Sequence, residues 1–212
     1  DRRFSNNWSL MGSYRWSRLF GTYEGFFRED NGQSDPNLTS LWDFANEPAF
    51  YKTYSTGPLN TDRTHRLQAF GFHNWDNGWS LGSRFLMQSG VPKLALASHP
   101  IYENGGEVQL EPRGANGRTP TEWYVDLNFG KKFKLQTAYE SHIELTCNIT
   151  NVFNKQFPTA FDFDVDSGTD LQYADYATYV ASVANGIPNP DFNRATSYAA
   201  PRQVRFGMRW RF

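Results

Sequence analysis

The chain has 212 residues, of which 39% are hydrophobic and 17% aromatic, with a formal charge of -1 and a single cysteine, Cys147. No stretch approaches the roughly 18 apolar residues that a membrane-crossing helix requires, so a helical membrane protein is excluded. The balanced charge excludes capture of nucleic acid by bulk attraction, and one cysteine excludes a disulfide framework.

The opening residues Asp1, Arg2, Arg3 and Phe4 carry neither an initiator methionine nor a charged-then-apolar leader, which reads as a processed or excised piece. Residues 7–16 then alternate: Trp8, Leu10, Gly12, Tyr14 and Trp16 fall on one side of an extended strand, and Ser9, Met11, Ser13 and Arg15 on the other. At about 3.3 Å per residue and a tilt near 40°, the two tryptophans stand roughly 20 Å apart, close to an apolar band of about 25 Å bounded by aromatics. A polar stretch rich in Gly, Asn, Asp and Pro follows over 25–62.

A second strand is predicted over 63–75, with Leu67, Ala69, Gly71, His73 and Trp75 on the apolar side. It places Phe70 and Phe72 beside Arg66 and Gln68 on the polar side, which means either two rings packed inward or a slipped register. Asp76, Asn77 and Gly78 supply a tight turn, because Asn-Gly accepts the positive φ that such hairpins demand. The third strand, 79–88, sets Trp79, Leu81, Ser83, Phe85 and Met87 against Arg84 and its neighbours. Residues 89–122 are read as a loop from their Pro and Gly content. The fourth strand carries Trp123, Val125, Leu127 and Phe129 opposite Tyr124, Asp126 and Asn128. After a short basic connection over 131–142, a fifth carries Ile143, Leu145, Cys147 and Ile149.

A third long loop over 157–201 precedes the most regular element of all. Over 203–212, Val204, Phe206, Met208, Trp210 and Phe212 oppose Gln203, Arg205, Gly207, Arg209 and Arg211. A greasy face ending in Trp and Phe, set against arginines, suits a strand with hydrocarbon on one side and water on the other. Connections that run long, short, long, short, long have the rhythm of an outer-membrane barrel with large extracellular loops and tight periplasmic turns. The fold class expected is therefore all-β: an antiparallel transmembrane β-barrel in the bacterial outer membrane. Six strands do not close such a barrel, since an open edge in lipid leaves backbone groups unpaired. Residues 1–212 are expected to be the last six strands of a larger wall, surrounded by outer-membrane lipid.

Several segments carry a resemblance. Residues 16–25 (WSRLFGTYEG), 30–37 (DNGQSDPN), 57–65 (GPLNTDRTH), 151–154 (NVFN) and 201–206 (PRQVRF) together resemble the C-terminal barrel of TonB-dependent outer-membrane receptors, with the nearest likeness to the Oar-like branch. The resemblance implies a 22-stranded barrel, a plug domain inside it and coupling to TonB through an N-terminal region. The plug and the earlier strands are absent from these residues.

Three candidate sites follow from the residues themselves. Asp162, Asp164 and Asp166, ahead of Gly168, form an alternating carboxylate set that either wraps Ca²⁺ or remains a solvated acidic loop; Tyr173 stands where an EF-hand would place its bidentate Glu. No other cofactor is expected. Arg15, Arg66, Arg84, Arg205 and Arg209, with Arg211, project toward the lumen, where Asp126 and Glu144 are the main opposing charges. They either guide an anion or grip an acidic plug, or they pair with carboxylates on neighbouring strands. Phe206, Trp210 and Phe212 form an ending that barrel-assembly machinery would recognise.

His65, His73, His99 and His142 lack metal-ligand spacing, and no nucleophile sits beside a recognisable base, so an enzyme is not expected. The loop aromatics Trp42, Phe44, Phe50, Tyr51, Tyr54, Phe161, Phe163, Tyr173, Tyr176 and Tyr179 form either a ligand-gripping mouth or small loop cores. The leading reading is a transporter wall with cargo-selecting loops. A passive channel or surface adhesin on the same barrel is the alternative, and a soluble sugar-binding sandwich is disfavoured because faces this greasy aggregate in water.

Overall fold

The computed structural model describes residues 2–22, 56–98, 108–135, 141–167 and 176–212. Its strands are β1 (Arg2–Ser5), β2 (Trp8–Trp16), β3 (Phe20–Gly21), β4 (Gly57–Pro58), β5 (His65–Asn74), β6 (Trp79–Gln88), β7 (Leu96–Ala97), β8 (Val108–Gln109), β9 (Glu122–Lys134), β10 (His142–Thr150), β11 (Pro158–Phe161), β12 (Ala195–Tyr198) and β13 (Gln203–Arg211). One helix, α1 (Tyr176–Ala184), lies between β11 and β12. No helix among the described residues is long and apolar enough to cross a membrane.

Seven strands form one antiparallel sheet in the order β1-β2-β5-β6-β9-β10-β13, each next to its sequence neighbour among the long strands. The alternation of the sequence predicts six. The extra strand is β1, which folds back on β2 through Asn6 and Asn7 at φ of 50° and 64°. That geometry is the two-residue turn that matches strand twist, and asparagine tolerates it better than most residues.

The register joins the alternating faces without a slip. Trp8 pairs His73, which pairs Leu81; Leu81 pairs Phe129, Phe129 pairs Cys147, and Cys147 pairs Phe206. The next row joins Leu10, Gly71, Ser83, Leu127, Ile149 and Val204. Because a one-residue shift would turn every side chain over, this agreement across successive pairs fixes one continuous apolar face. Phe70 and Phe72 do sit on the polar face, opposite Arg84 and Gly82 respectively. The register is sound, and the Phe72 ring covers Gly82, whose missing side chain leaves it room.

The fourth strand runs further than its sequence suggested, to Lys134. Lys131 breaks the apolar pattern yet stays on the apolar face, its amine 5.0 Å from the centre of the Trp79 ring and 5.7 Å from that of Phe133, and bonded to the Asn77 carbonyl at 2.7 Å. A lysine can lay its stem over aromatics while keeping its ammonium solvated.

Antiparallel order sorts the connections. Turns 6–7 and 75–78, residues 135 and 141 and Phe212 lie at one end, while the long connections from β2 to β5, from β6 to β9 and from β10 to β13 leave and rejoin the sheet at the other.

Candidate functional site

The long connections at one end build a unit of their own. Ala97 and Val108 of the β7–β8 hairpin pack with Tyr179 and Val183 of α1, and Leu94 and Leu96 pack with Phe163. Tyr179 and Val183 are one helical turn apart and so face the hairpin together. Asn185 and Gly186 end the helix, their amides bonding to the Ala181 and Val183 carbonyls. Stacked Phe161 and Phe163 lie 6.2 Å apart. Phe161, Phe163 and Tyr179 therefore contribute to small loop cores. Trp42, Phe44, Phe50, Tyr51, Tyr54 and Tyr173 lie outside the described residues, as does the side chain of Tyr176.

The acidic motif is woven into this unit. Leu96 donates to the Phe163 carbonyl at 2.9 Å and Val165 to the Leu96 carbonyl at 2.8 Å, so the motif runs beside β7. Asp166 is buried and accepts from the Ser98 amide at 2.9 Å and the Ser98 hydroxyl at 2.6 Å. The Ser98 carbonyl accepts from the Tyr179 hydroxyl at 2.8 Å, which ties α1 to the same knot. Asp162 accepts from the Asp164 amide at 3.0 Å and the Asn189 amide group at 3.1 Å. Among the described residues no three acidic, His or Cys side chains are grouped to hold a metal. Gly168 and Asp170 lie outside them. Asp166→Ala is expected to cost about 1.5–3 kcal/mol, the range for hydrogen bonds to charged groups, and loosening would show as faster amide exchange at 96–98 and in α1.

Between this unit and the sheet runs a polar belt. The Asp62 carboxylate, 1% exposed, pairs with Arg118 and accepts from the Leu19 amide at 2.6 Å. Arg118 also donates to the Asp62 and Gly90 carbonyls at 2.8 and 2.9 Å. Next to it, Arg63 meets Glu122 at 2.9 Å and the Ser89 carbonyl at 2.9 Å, and Gln88 donates to the other Glu122 oxygen at 2.8 Å. Asp62 and Arg63 belong to the 57–65 segment of the resemblance. That motif thus has a structural role, because its charges join the bases of the first two long connections.

The 151–154 segment works in the same way. Asn151 and Asn154 both adopt φ of 52°, reversing the chain after β10. The Asn151 amide group donates to the Lys155 and Ala200 carbonyls at 2.9 Å each, and Asn154 accepts from the Arg202 amide at 2.8 Å. The start of β13 is thereby pinned to the end of β10. A cleft of about 240 Å³ opens between the belt and the loop unit, lined by Asn60, Arg63, Thr119, Thr159 and Thr196 with Phe161 and Phe163.

On the sheet, Arg15, Arg66, Arg84, Arg205, Arg209 and Arg211 all alternate onto the polar face. Arg84 pairs with Asp126 at 3.4 Å, and Asp126 also accepts from the Asn151 amide at 2.9 Å. Arg209 stands opposite Glu144, Arg205 opposite Asn148, and Arg15 directly opposite Arg66. Phe206 and Trp210 of the edge strand β13 are 79% and 61% exposed, and Phe212, just past its end, 93%, well beyond what a soluble sheet tolerates in one row.

Among known proteins, the TonB-dependent transporter Oar of Myxococcus xanthus is 33% identical over 235 residues, an alignment covering 100% of this chain and 22% of the relative. No family model matches, and no solved structure matches significantly. The chain thus spans about a fifth of the length of the curated relative it matches. Strand pattern, two-faced sheet and whole-chain likeness agree: over its whole length the chain corresponds to a β-sheet portion of an Oar-like TonB-dependent transporter.

Proposed function

We propose that the chain forms part of the wall of an outer-membrane transporter and that its three long connections select cargo on the cell surface. One observation carries this reading: a seven-stranded sheet has one predominantly apolar face, one polar face, and all its long connections at the same end. Hydrocarbon suits the first face, and a water-filled or plugged lumen the second. In this reading the tight turns and Phe212 face the periplasm, the remaining strands and a plug belong to the same longer polypeptide, and TonB supplies energy through a region beyond this chain. The terminal row Phe206, Trp210 and Phe212 is the portion offered to assembly machinery. No catalytic step is required of any residue.

The test uses the full-length polypeptide in outer membranes. It is expected to bind the periplasmic domain of TonB, and externally added protease is expected to cleave within 17–64, 89–121 or 151–202 while sparing the tight turns. A full-length protein without a plug that ignores TonB would defeat the transporter reading and leave a passive channel or adhesin. The acidic motif requires no resident metal here, because Asp162 and Asp166 already receive internal donors. Chelation of Ca²⁺ is accordingly expected to leave amide exchange of 162–166 unchanged, and a protection that vanishes with chelator would assign calcium to that loop.

A further inference from the structure

The apolar face carries one permanent charge. Across β2, β5, β6, β9, β10 and β13 the register brings no other lysine or arginine, and no carboxylate, to the side that holds Lys131. Lys131 stands in a rung with Trp79, Leu145 and Met208, one rung inside the row of Phe133, Ile143 and Trp210. With about 3.3 Å per residue and a tilt near 40°, it lies roughly 5 Å inside the last aromatics, at the depth where hydrocarbon gives way to headgroups.

The ammonium has a fixed place. The Asn77 carbonyl accepts from it at 2.7 Å, and the rings of Trp79 and Phe133 flank it at 5.0 and 5.7 Å. The turn that supplies this carbonyl is itself fastened to β9. The Lys132 amide donates to the Gly78 carbonyl at 2.8 Å, and Gly78, at φ of 86°, lies so close that a Cβ there would be 2.6 Å from the Lys132 carbonyl oxygen. An ammonium has three N–H donors, and among the described residues only the Asn77 oxygen takes one. The acidic residue of the same turn, Asp76, is bonded to Asn7 at 2.9 Å. Trp79, Phe133, Leu145, Met208 and Trp210 are exposed around the lysine.

A cation at this depth, with donors to spare and rings beside it, is complementary to an anion whose other end is hydrocarbon. We infer that Lys131 and its aromatic surround bind the phosphate of a glycerophospholipid in the leaflet at the tight-turn end. The two remaining N–H groups meet the phosphodiester oxygens, Trp79 and Phe133 lie against the glycerol, and the acyl chains run over Leu145, Phe129 and Cys147. The inference rests on the reading above that hydrocarbon covers this face, and it requires neither a plug nor TonB.

The experiment uses the full-length polypeptide purified in an uncharged detergent, with native mass spectrometry counting the lipids it retains as phosphatidylglycerol is added. The wild-type protein and Lys131→Arg are expected to hold phosphatidylglycerol roughly tenfold more tightly than Lys131→Met, which keeps an apolar stem and loses the charge. Lys132→Met, one position along and on the opposite face, is expected to match the wild type. Diacylglycerol of the same chain length, which lacks the phosphate, is expected to bind the wild type and Lys131→Met alike, and inorganic phosphate is expected not to displace phosphatidylglycerol. Resistance to unfolding in cold SDS reports that each variant is folded. Equal retention of phosphatidylglycerol by the wild type and Lys131→Met would overturn the inference alone, as would its displacement by inorganic phosphate, which would mark a site for free anions. Failure of any lipid to bind, with Leu127→Arg no more costly than Ser13→Arg, would overturn the lipid-facing assignment with it.

Discussion

Replacing Leu127 with arginine is expected to destabilise the sheet by about 2–4 kcal/mol, whereas Ser13→Arg should be nearly neutral. Leu127 lies midway along β9, four residues from Trp123 and six from Phe133 on the same face, with Ser83 and Ile149 as its cross-strand partners. If tails of lipid cover that face, a guanidinium at mid-depth has no water to meet and must distort the bilayer or the strand. Ser13 also lies within its strand, β2, but alternates onto the polar face opposite Gln68. The measurement is the urea midpoint of the full-length barrel in lipid vesicles. Equal costs at the two positions would contradict the assignment of faces, and a larger cost at Ser13 would reverse it.

The second large effect belongs to the belt. Arg118→Met is expected to cost about 3–5 kcal/mol, because it leaves the Asp62 carboxylate, 1% exposed, with no cation. Two backbone carbonyls, of Asp62 and Gly90, also lose their donor. Adding Asp62→Asn to Arg118→Met should recover part of the loss, since an amide at that site still accepts from the Leu19 amide and carries no charge to bury. Loss of protection is expected to concentrate at 17–20, 59–63 and 89–91, where the first two connections meet. If the double variant is no more stable than the single, the cost does not come from the orphaned charge.

How much of this is legible in the sequence depends on whether a signal is periodic. The long strands are readable because lipid or core on one side and water on the other forces a period of two, and the tryptophans at their ends mark where the pattern should stop. β1 escapes because its four residues are too few to show a period and Asn6-Asn7 is a weaker turn signal than Asn77-Gly78. The extension of β9 is hidden by Lys131, which looks like a charge on the wrong face until Trp79 and Phe133 are seen beside it.

Inside the long connections, proline and glycine content masks real elements. Tyr179 and Val183, four apart in an alanine-rich run, are a usable helix signal for α1, but β7 and β8 have two residues each and no pattern at all. The belt is unreadable for another reason. Asp62 and Arg63 are far in sequence from their partners Arg118 and Glu122 and meet them only through the sheet's register. Asp162 and Asp166 show the reverse: the local pattern is readable in the sequence, while the distant partners that donate to their oxygens, Asn189 and Ser98, are not.

The seven-stranded sheet begins at β1 and ends at β13, and each of those strands has a neighbour on one side only. A margin of unsatisfied amides and carbonyls is adhesive, and β13 adds a row of bare rings to it. Left uncovered, the two margins of residues 1–212 would zip edge to edge with copies of the chain into ribbons or fibrils. In the transporter reading proposed above, the same stickiness is what would recruit further strands to both sides of the sheet.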